Sequence, residues 1–427
     1  MKWLDKIIQV FKIKDLRKKI FFVLMVLVIF RIAANIPVPG IDAERLKEFF
    51  ANNQLFGLLN IFTGGAMSNL SIIMLGLGPF ITATIIMQLL TMIFPQLEAL
   101  YKEEGEAGRQ KFNQLSRMLT VPLAILQSYA MLTLLSRQNI IAFTSPMQWI
   151  TSITAITAGA VFLMWLGELI SEKGIGNGVS LLIFAGIVSS VPLSIRELVV
   201  TYDPSKIPSY FAFFAVALII TAGVVVITEG RRNIPVSYAK RVRGNKIFGG
   251  VSTYLPLNVN PAGVIPIIFA LSIMLFPGMA ASFLGASSVG WVANIAQVIG
   301  SLFQNPWFYG LAYFALVVLF TYFYTAVTFD PKNVANNLQK MGGFIPGIRP
   351  GTPTSDFLYF ILNRVLLFGA IFLGTIAVLP SIVQGATGIT AFGFVIGGTA
   401  LLIVVSVVLE TIRQIDSQLV MRDYEGL

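Results

Sequence analysis

Any chemistry in this chain proceeds without histidine or cysteine, because neither occurs among its 427 residues. That removes imidazole and thiolate ligands for zinc, iron and copper, and with them thiol- and His-dependent catalysis. Alternate glycines at Gly174, Gly176 and Gly178 invite comparison with a nucleotide-binding loop. The spacing is not G-x-G-x-x-G, no βαβ pattern surrounds it, and an apolar stretch of membrane-spanning length follows. A tight turn capped by Asn177 accounts for the same residues, with glycine supplying the unusual backbone angles. The ionisable residues in or beside apolar stretches, Arg31, Glu168, Glu229, Arg364 and Glu410, all fall near stretch ends. A solute transporter would instead place such groups at the membrane midplane to hold substrate and couple ions. An intramembrane protease would need a pair of aspartates within the spans, and the spans hold none. The expectation is a chain with no enzymatic activity, no metal and no cofactor, whose working residues are apolar or basic.

The elements that must position those residues are membrane helices. The chain is 56% apolar and only 12% charged, with a mean hydropathy of +0.80, far more apolar surface than a soluble core of this length could bury. Ten stretches are long enough to cross a hydrocarbon layer of roughly 30 Å, which takes about 17–25 helical residues. They lie near 20–36, 71–94, 118–135, 150–170, 179–195, 210–228, 262–280, 307–328, 357–379 and 390–410. A basic, amphipathic start precedes the first stretch, which runs into Pro37-Val38-Pro39-Gly40 rather than a small-residue cleavage site. A cleaved signal peptide is therefore not expected.

Lys and Arg set the orientation. Of the 30, 23 fall at the two termini and in the loops on their side, 5 fall in the opposite loops, and Arg31 and Arg364 lie inside spans. By the positive-inside rule both termini are cytoplasmic. Ten spans divide into five and five, 1–195 and 196–427, and an odd number per half implies two inverted, pseudo-symmetric halves. Glycine and proline interrupt the second span (Gly76, Gly78, Pro79), the third (Pro122), the seventh (Gly263, Pro266) and the tenth (Gly393, Gly397, Gly398). Broken backbone survives in a membrane where neighbours or a water-filled cavity satisfy it. Close packing through small residues is the alternative for any single glycine.

Three regions carry the rest. External residues 57–70 are apolar yet too short to span, and Gly64-Gly65 can turn the chain sharply. The choice there is between a re-entrant half-helix and an amphipathic helix on the membrane surface. The large cytoplasmic loop 229–261 reads as a strand from Arg231, a turn at Gly244-Asn245 and a returning strand from Ile247 to Leu255. Loop 329–356 is stiffened by Pro346 and Pro350 around Arg349. Basic loops of this kind signal topology and attract anionic headgroups, and their length suits docking of a large, acidic-surfaced partner. Within the spans, Leu77 with Ile81 and Ile183 with Ile187 are four apart, so each pair stacks on one helix face.

The motifs Pro37-Val38-Pro39-Gly40, Phe62-Thr63-Gly64-Gly65-Ala66, Glu103-Glu104-Gly105-Glu106-Ala107-Gly108-Arg109, Glu172-Lys173-Gly174-Ile175-Gly176-Asn177-Gly178, Leu255-Pro256-Leu257-Asn258, Ala262-Gly263-Val264-Ile265-Pro266, Gly347-Ile348-Arg349-Pro350-Gly351 and Gly397-Gly398-Thr399 resemble, in order and over essentially the whole chain, those of the bacterial SecY family. Two details depart from the family pattern. Asn245-Lys246 stand where the family often has a basic pair after the tip glycine, and Asn69 stands where an Arg is common.

The resemblance implies an all-α polytopic membrane protein, with ten transmembrane helices in two inverted five-helix halves around a central pore, hinged between spans five and six. By the same resemblance Leu77, Ile81, Ile183, Ile187, Ile268 and Ile403 form the pore ring. The segment from about Asn60 to Met67, with Phe62, Gly64, Gly65 and Ala66, is the plug. Spans two and three face seven and eight at a lateral gate, where Gln127 is either a gate residue or a polar link between helices. Lys240, Arg241, Arg243, Lys246 and Arg349 meet the motor or the ribosome. The implied partners are the SecE and SecG subunits, the SecA ATPase, the ribosome, signal sequences, unfolded polypeptides and anionic lipid. The implied location is the bacterial inner membrane.

Overall fold

A computed structural model of the chain describes residues 10–38, 63–137, 140–141, 145–200, 204–238, 241–243, 246–248, 252–284, 290–387 and 398–425. Its α-helices are α1 (Lys14–Ala33), α2 (Gly78–Ile93), α3 (Pro95–Lys102), α4 (Gly105–Arg137), α5 (Pro146–Lys173), α6 (Gly178–Val200), α7 (Ile207–Glu229), α8 (Ile265–Leu284), α9 (Gly290–Gln304), α10 (Pro306–Thr328), α11 (Pro331–Lys340), α12 (Thr352–Thr387) and α13 (Gly398–Glu425). Each of the ten apolar stretches overlaps one of them, in order α1, α2, α4, α5, α6, α7, α8, α10, α12 and α13. Five described helices are long and apolar enough to cross a bilayer on those criteria alone, or six if α2 and α3, bent by 111° where Pro95 opens α3, count as one broken span. Several starts share one recipe, a capping side chain followed by proline at the first helical position. Asn305 Oδ1 accepts from the Trp307 amide at 3.0 Å, and Asp330 Oδ1 from the Lys332 amide at 2.9 Å. Ser145 closes a capping box with Gln148 ahead of Pro146 in α5.

The interruptions expected inside spans sit mostly at their edges. Pro122 lies within a continuous α4, so the third span is not broken there. The turn at Gly263, with φ +62°, ends before α8 begins. Gly393 and Gly397 lie outside the described residues, and α13 starts at Gly398. The second span is the exception, because residues 63–77 form consecutive turns and the helix begins only at Gly78. A further helix, the uncharged α9, occupies what the sequence marks as an external loop.

Short strands lie outside the spans: β1 (Arg231–Tyr238), β2 (Arg241–Arg243), β3 (Lys246–Phe248), β4 (Ser252–Asn258) and β5 (Gly343–Phe344). The expected hairpin is present as two ladders, β1 with β4 and β2 with β3. Its tip residues Gly244 and Asn245 lie outside the described residues. Beyond that expectation, β5 pairs antiparallel with the end of β1 and gives the order β4-β1-β5. The two large loops, 229–261 and 329–356, therefore share one small core, in which Ile234, Val236 and Leu257 pack with Leu338, Ile345 and Leu358.

The main apolar core gathers residues of α1, α2, α5, α6, α7, α8, α10, α12 and α13. Within the bundle α8 packs on both α2 and α4, while α13 contacts α6, α7 and α12. Near the helix ends Arg413 of α13 reaches Glu229 at 2.6 Å and the Thr228 carbonyl at 2.7 Å, and Gln414 Oε1 accepts from the Gly176 amide at 2.7 Å.

Candidate functional site

The apolar residues singled out by the sequence and the resemblance all belong to the main apolar core. Leu77, Ile81, Ile183, Ile187 and Ile403 are buried in one cluster, and Ile268, partly buried, packs against it. They arrive from α2, α6, α8 and α13. Leu77 caps α2 rather than lying inside it, yet its carbonyl accepts from the Ile81 amide at 2.9 Å, which keeps the pair stacked. Surfaces made only of such branched side chains offer water no donor or acceptor, so a narrow passage between them dewets when empty.

Next in the chain to Leu77 lies the run of turns at 63–77. Asn60 and Phe62 lie outside the described residues, while Gly64, Gly65 and Ala66 belong to the run. Neither a half-helix nor a surface helix occupies the described part of 57–70; tight turns stand there instead, with Gly64, Gly65 and Gly76 at positive φ. Unpaired backbone at membrane depth is expensive, and this segment pairs much of its own. The Ser71 amide donates to the Ala66 carbonyl at 2.9 Å, that of Met74 to Ser71 at 3.0 Å and that of Gly76 to Ile73 at 2.8 Å. The chain just beyond α1 supplies two more partners, since the Val38 amide donates to Leu70 at 2.8 Å and the Ile72 amide to Ile36 at 3.0 Å. Gly159 of α5 lets the segment lie close, because a Cβ there would run into the Ile72 carbonyl. Arg31 also belongs to this site, its Nη1 donating to the Gly64 carbonyl at 2.5 Å. Sequence reasoning misses both residues. The signal available for Arg31 is its type, a guanidinium inside an apolar stretch, which needs a partner.

Gln127 of α4 is partly buried and faces α2, its Oε1 lying 3.9 Å from where a Cβ on Gly78 would stand. Next to it the Ser128 hydroxyl donates to the Ala124 carbonyl at 2.6 Å and lies 3.4 Å from Thr157 Oγ1 of α5. Helix α8, from the second half of the chain, packs against both α2 and α4. At the end of α3, Lys102 lines a cleft of about 740 Å³ together with Tyr322 of α10, Asp330 and Tyr359.

Of the basic residues, Lys240 lies outside the described residues, while Arg241, Arg243 and Lys246 fall on β2 and β3, with Arg243 opposite Lys246 in the ladder. Arg349 is exposed. Its turn is held by Gly347 and Gly351, both at positive φ, and by the Thr354 hydroxyl donating to the Arg349 carbonyl at 2.8 Å. The flanking Ile345 and Ile348 pack into the core shared by the two large loops. The Gly174–Gly178 turn is built as expected. Asn177 Oδ1 accepts from the Ser180 amide at 3.2 Å, Gly176 has φ +93°, and a Cβ at Gly178 would strike the Gly167 carbonyl.

Residues 71–412 match the family model described as SecY. A curated relative in Corynebacterium glutamicum, the protein translocase subunit SecY, is 44% identical, and the alignment covers 99% of this chain and 100% of that one. The subunits of the same name in Streptomyces galbus and Mycobacterium tuberculosis are each 43% identical, covering 98% and 96% of this chain and 98% and 97% of theirs. Among solved structures, one described as a protein conducting channel superposes with a TM-score of 0.63 at 21% identity, covering 92% of this chain and 90% of its own. A second, from work on the plug domain of the SecY protein, gives 0.60 at 21%, and Sec61 in the canine ribosome-channel complex gives 0.60 at 20%, both with the same coverage.

Proposed function

This chain belongs to the SecY family, so it is a multi-pass membrane protein and the protein-conducting channel subunit of a translocase, neither an enzyme nor a solute transporter; from that premise we propose how its own residues divide the work. Leu77, Ile81, Ile183, Ile187, Ile268 and Ile403 form the collar of the pore. Their gathering in one cluster drawn from both halves of the chain carries this proposal. Residues 60–67 close the passage on the external side, and α2 with α4 part from α8 to release apolar segments into lipid, with Gln127 at that seam. The halves 1–195 and 196–427 move against each other about the connection between α6 and α7.

Both termini lie in the cytoplasm of a bacterial inner membrane, which the distribution of Lys and Arg supports. The shared sheet of the two cytoplasmic loops, with Arg241, Arg243, Lys246 and Arg349, then faces the partners that supply the passenger, the SecA ATPase or a ribosome. Lys240 joins that patch by sequence. SecE and SecG complete the membrane assembly, and anionic headgroups meet the remaining basic loop residues.

Purification from native membranes followed by reconstitution into vesicles tests this division. The chain is expected to bring a small membrane subunit with it and, with the ATPase and ATP added, to move an unfolded secretory precursor into a protease-protected space. Failure of the reconstituted complex to protect any precursor, with solute uptake in its place, would overturn it.

A further inference from the structure

We propose that Arg31 is a positioning residue that clasps the external closure shut by tying three separate elements together at one guanidinium. Arg31 lies in the last turn of α1. Its Nη1 donates to the Gly64 carbonyl at 2.5 Å and lies 3.3 Å from Ser189 Oγ on α6. Among the described residues no carboxylate forms an ion pair with it. A partly buried guanidinium satisfied by a main-chain carbonyl and a hydroxyl is a hydrogen-bonding device rather than half of a salt bridge.

The backbone is shaped to meet it. Gly64 adopts φ +68°, and a Cβ there would come within 3.0 Å of Ser189 Oγ and 3.1 Å of Gly186 Cα, so glycine is what brings this carbonyl down onto α6. Ser189 is itself oriented by donating to the Gly186 carbonyl at 2.8 Å. A second tie runs alongside, where Asn35 Nδ2 donates to the Arg31 carbonyl at 2.8 Å and Asn69 Nδ2 lies 3.4 Å from Asn35 Oδ1. The clasp therefore joins α1, the turn run and α6, the helix that also carries Ile183 and Ile187. Moving the closure away must break the Arg31 bond to Gly64. Water entering the opened passage rehydrates the guanidinium, so the net effect on closing is a fraction of the bond itself. Both bonds leave one nitrogen, Nη1, which holds an acceptor from each of two elements at one point.

This inference rests on residues 60–67 acting as the closure, and the experiment separates the two ideas. The assembled translocase, with no passenger, is placed in planar bilayers in four forms: unaltered, Arg31→Gln, deletion of 60–67, and both changes together. Arg31→Gln is expected to raise the open fraction about tenfold, the factor given by ~1.4 kcal/mol, and to add nothing once 60–67 are removed. A deletion that leaves the channel tight would refute the closure itself. A leaking deletion beside a tight Arg31→Gln channel would refute the clasp alone, as would an Arg31→Gln effect that persists undiminished in the deletion. Arg31→Lys keeps the charge on a side chain that ends one bond short of Nη1, and decides the matter should Arg31→Gln fail to assemble. It is expected to leak more than the unaltered channel, and an unaltered seal would overturn the clasp.

Discussion

Replacing Ile187, Ile268 and Ile403 together with Asn is expected to leave a channel that conducts ions at rest and accepts precursors with weak signal sequences. The three residues come from α6, α8 and α13 and meet in one apolar cluster. Each Asn puts an amide where the neighbours are aliphatic, and an unsatisfied buried polar group costs about 1–3 kcal/mol. The closed, dry state carries that penalty three times over, and a wetted passage relieves it. At ~1.4 kcal/mol per factor of ten, the ratio of wet to dry should rise about hundredfold or more. Single-channel conductance, recorded with and without residues 60–67, reads this directly. If the triple variant stays as tight as the unaltered channel in both backgrounds, these residues are not the seal.

Charge reversal at Arg349 is expected to stop partner-driven transport while leaving the channel assembled. The fold of its turn uses the Arg349 carbonyl, two glycines at positive φ and the flanking isoleucines, while the residue itself is exposed. Arg349→Glu should therefore insert and bind its membrane subunits normally. A positive group on a docking surface governs both steering and orientation of a charged partner, so transport should fall by about tenfold or more. Conductance of the idle channel should not change. Undiminished precursor transport by the Glu variant would exclude Arg349 from the docking surface.

How much of the fold is legible in the sequence follows from how local each signal is. The ten spans can be read because the need for roughly 30 Å of apolar helix is met within one continuous stretch. The hairpin at 231–258 is readable for the same reason, its strands being near neighbours with a turn between them. The partner strand at Gly343–Phe344 is not, because it lies in the other large loop and is only two residues long; nothing in its own composition marks it as a strand. Pro122 misleads in the opposite direction. Proline removes one amide donor, and the surrounding helix α4 carries on through the gap. At 63–70 the paired glycines mark a sharp turn correctly, and among the described residues turns rather than a helix stand there. The turns of 63–77 depend on ties to Ile36, Val38 and Arg31, which no local window of sequence contains. Gly159 is invisible because its reason for being glycine, the Ile72 carbonyl, sits in another segment. The collar residues are a middle case. A spacing of four yields two stacked pairs, whereas their sharing of one apolar core with Ile268 and Ile403 emerges only with the fold.

The central claim is that an extended passenger threads through the cluster of Leu77, Ile81, Ile183, Ile187, Ile268 and Ile403. Placing a photo-crosslinking residue at position 403 or 187, stalling a secretory precursor midway in the assembled translocase and irradiating it tests this most directly. The account predicts adducts between those positions and the passenger, with a control probe at the exposed Phe368 of α12 yielding none. Probes at 187 and 403 that label only lipid or neighbouring subunits, in a complex where the stalled precursor is demonstrably protease-protected on the far side, would contradict it.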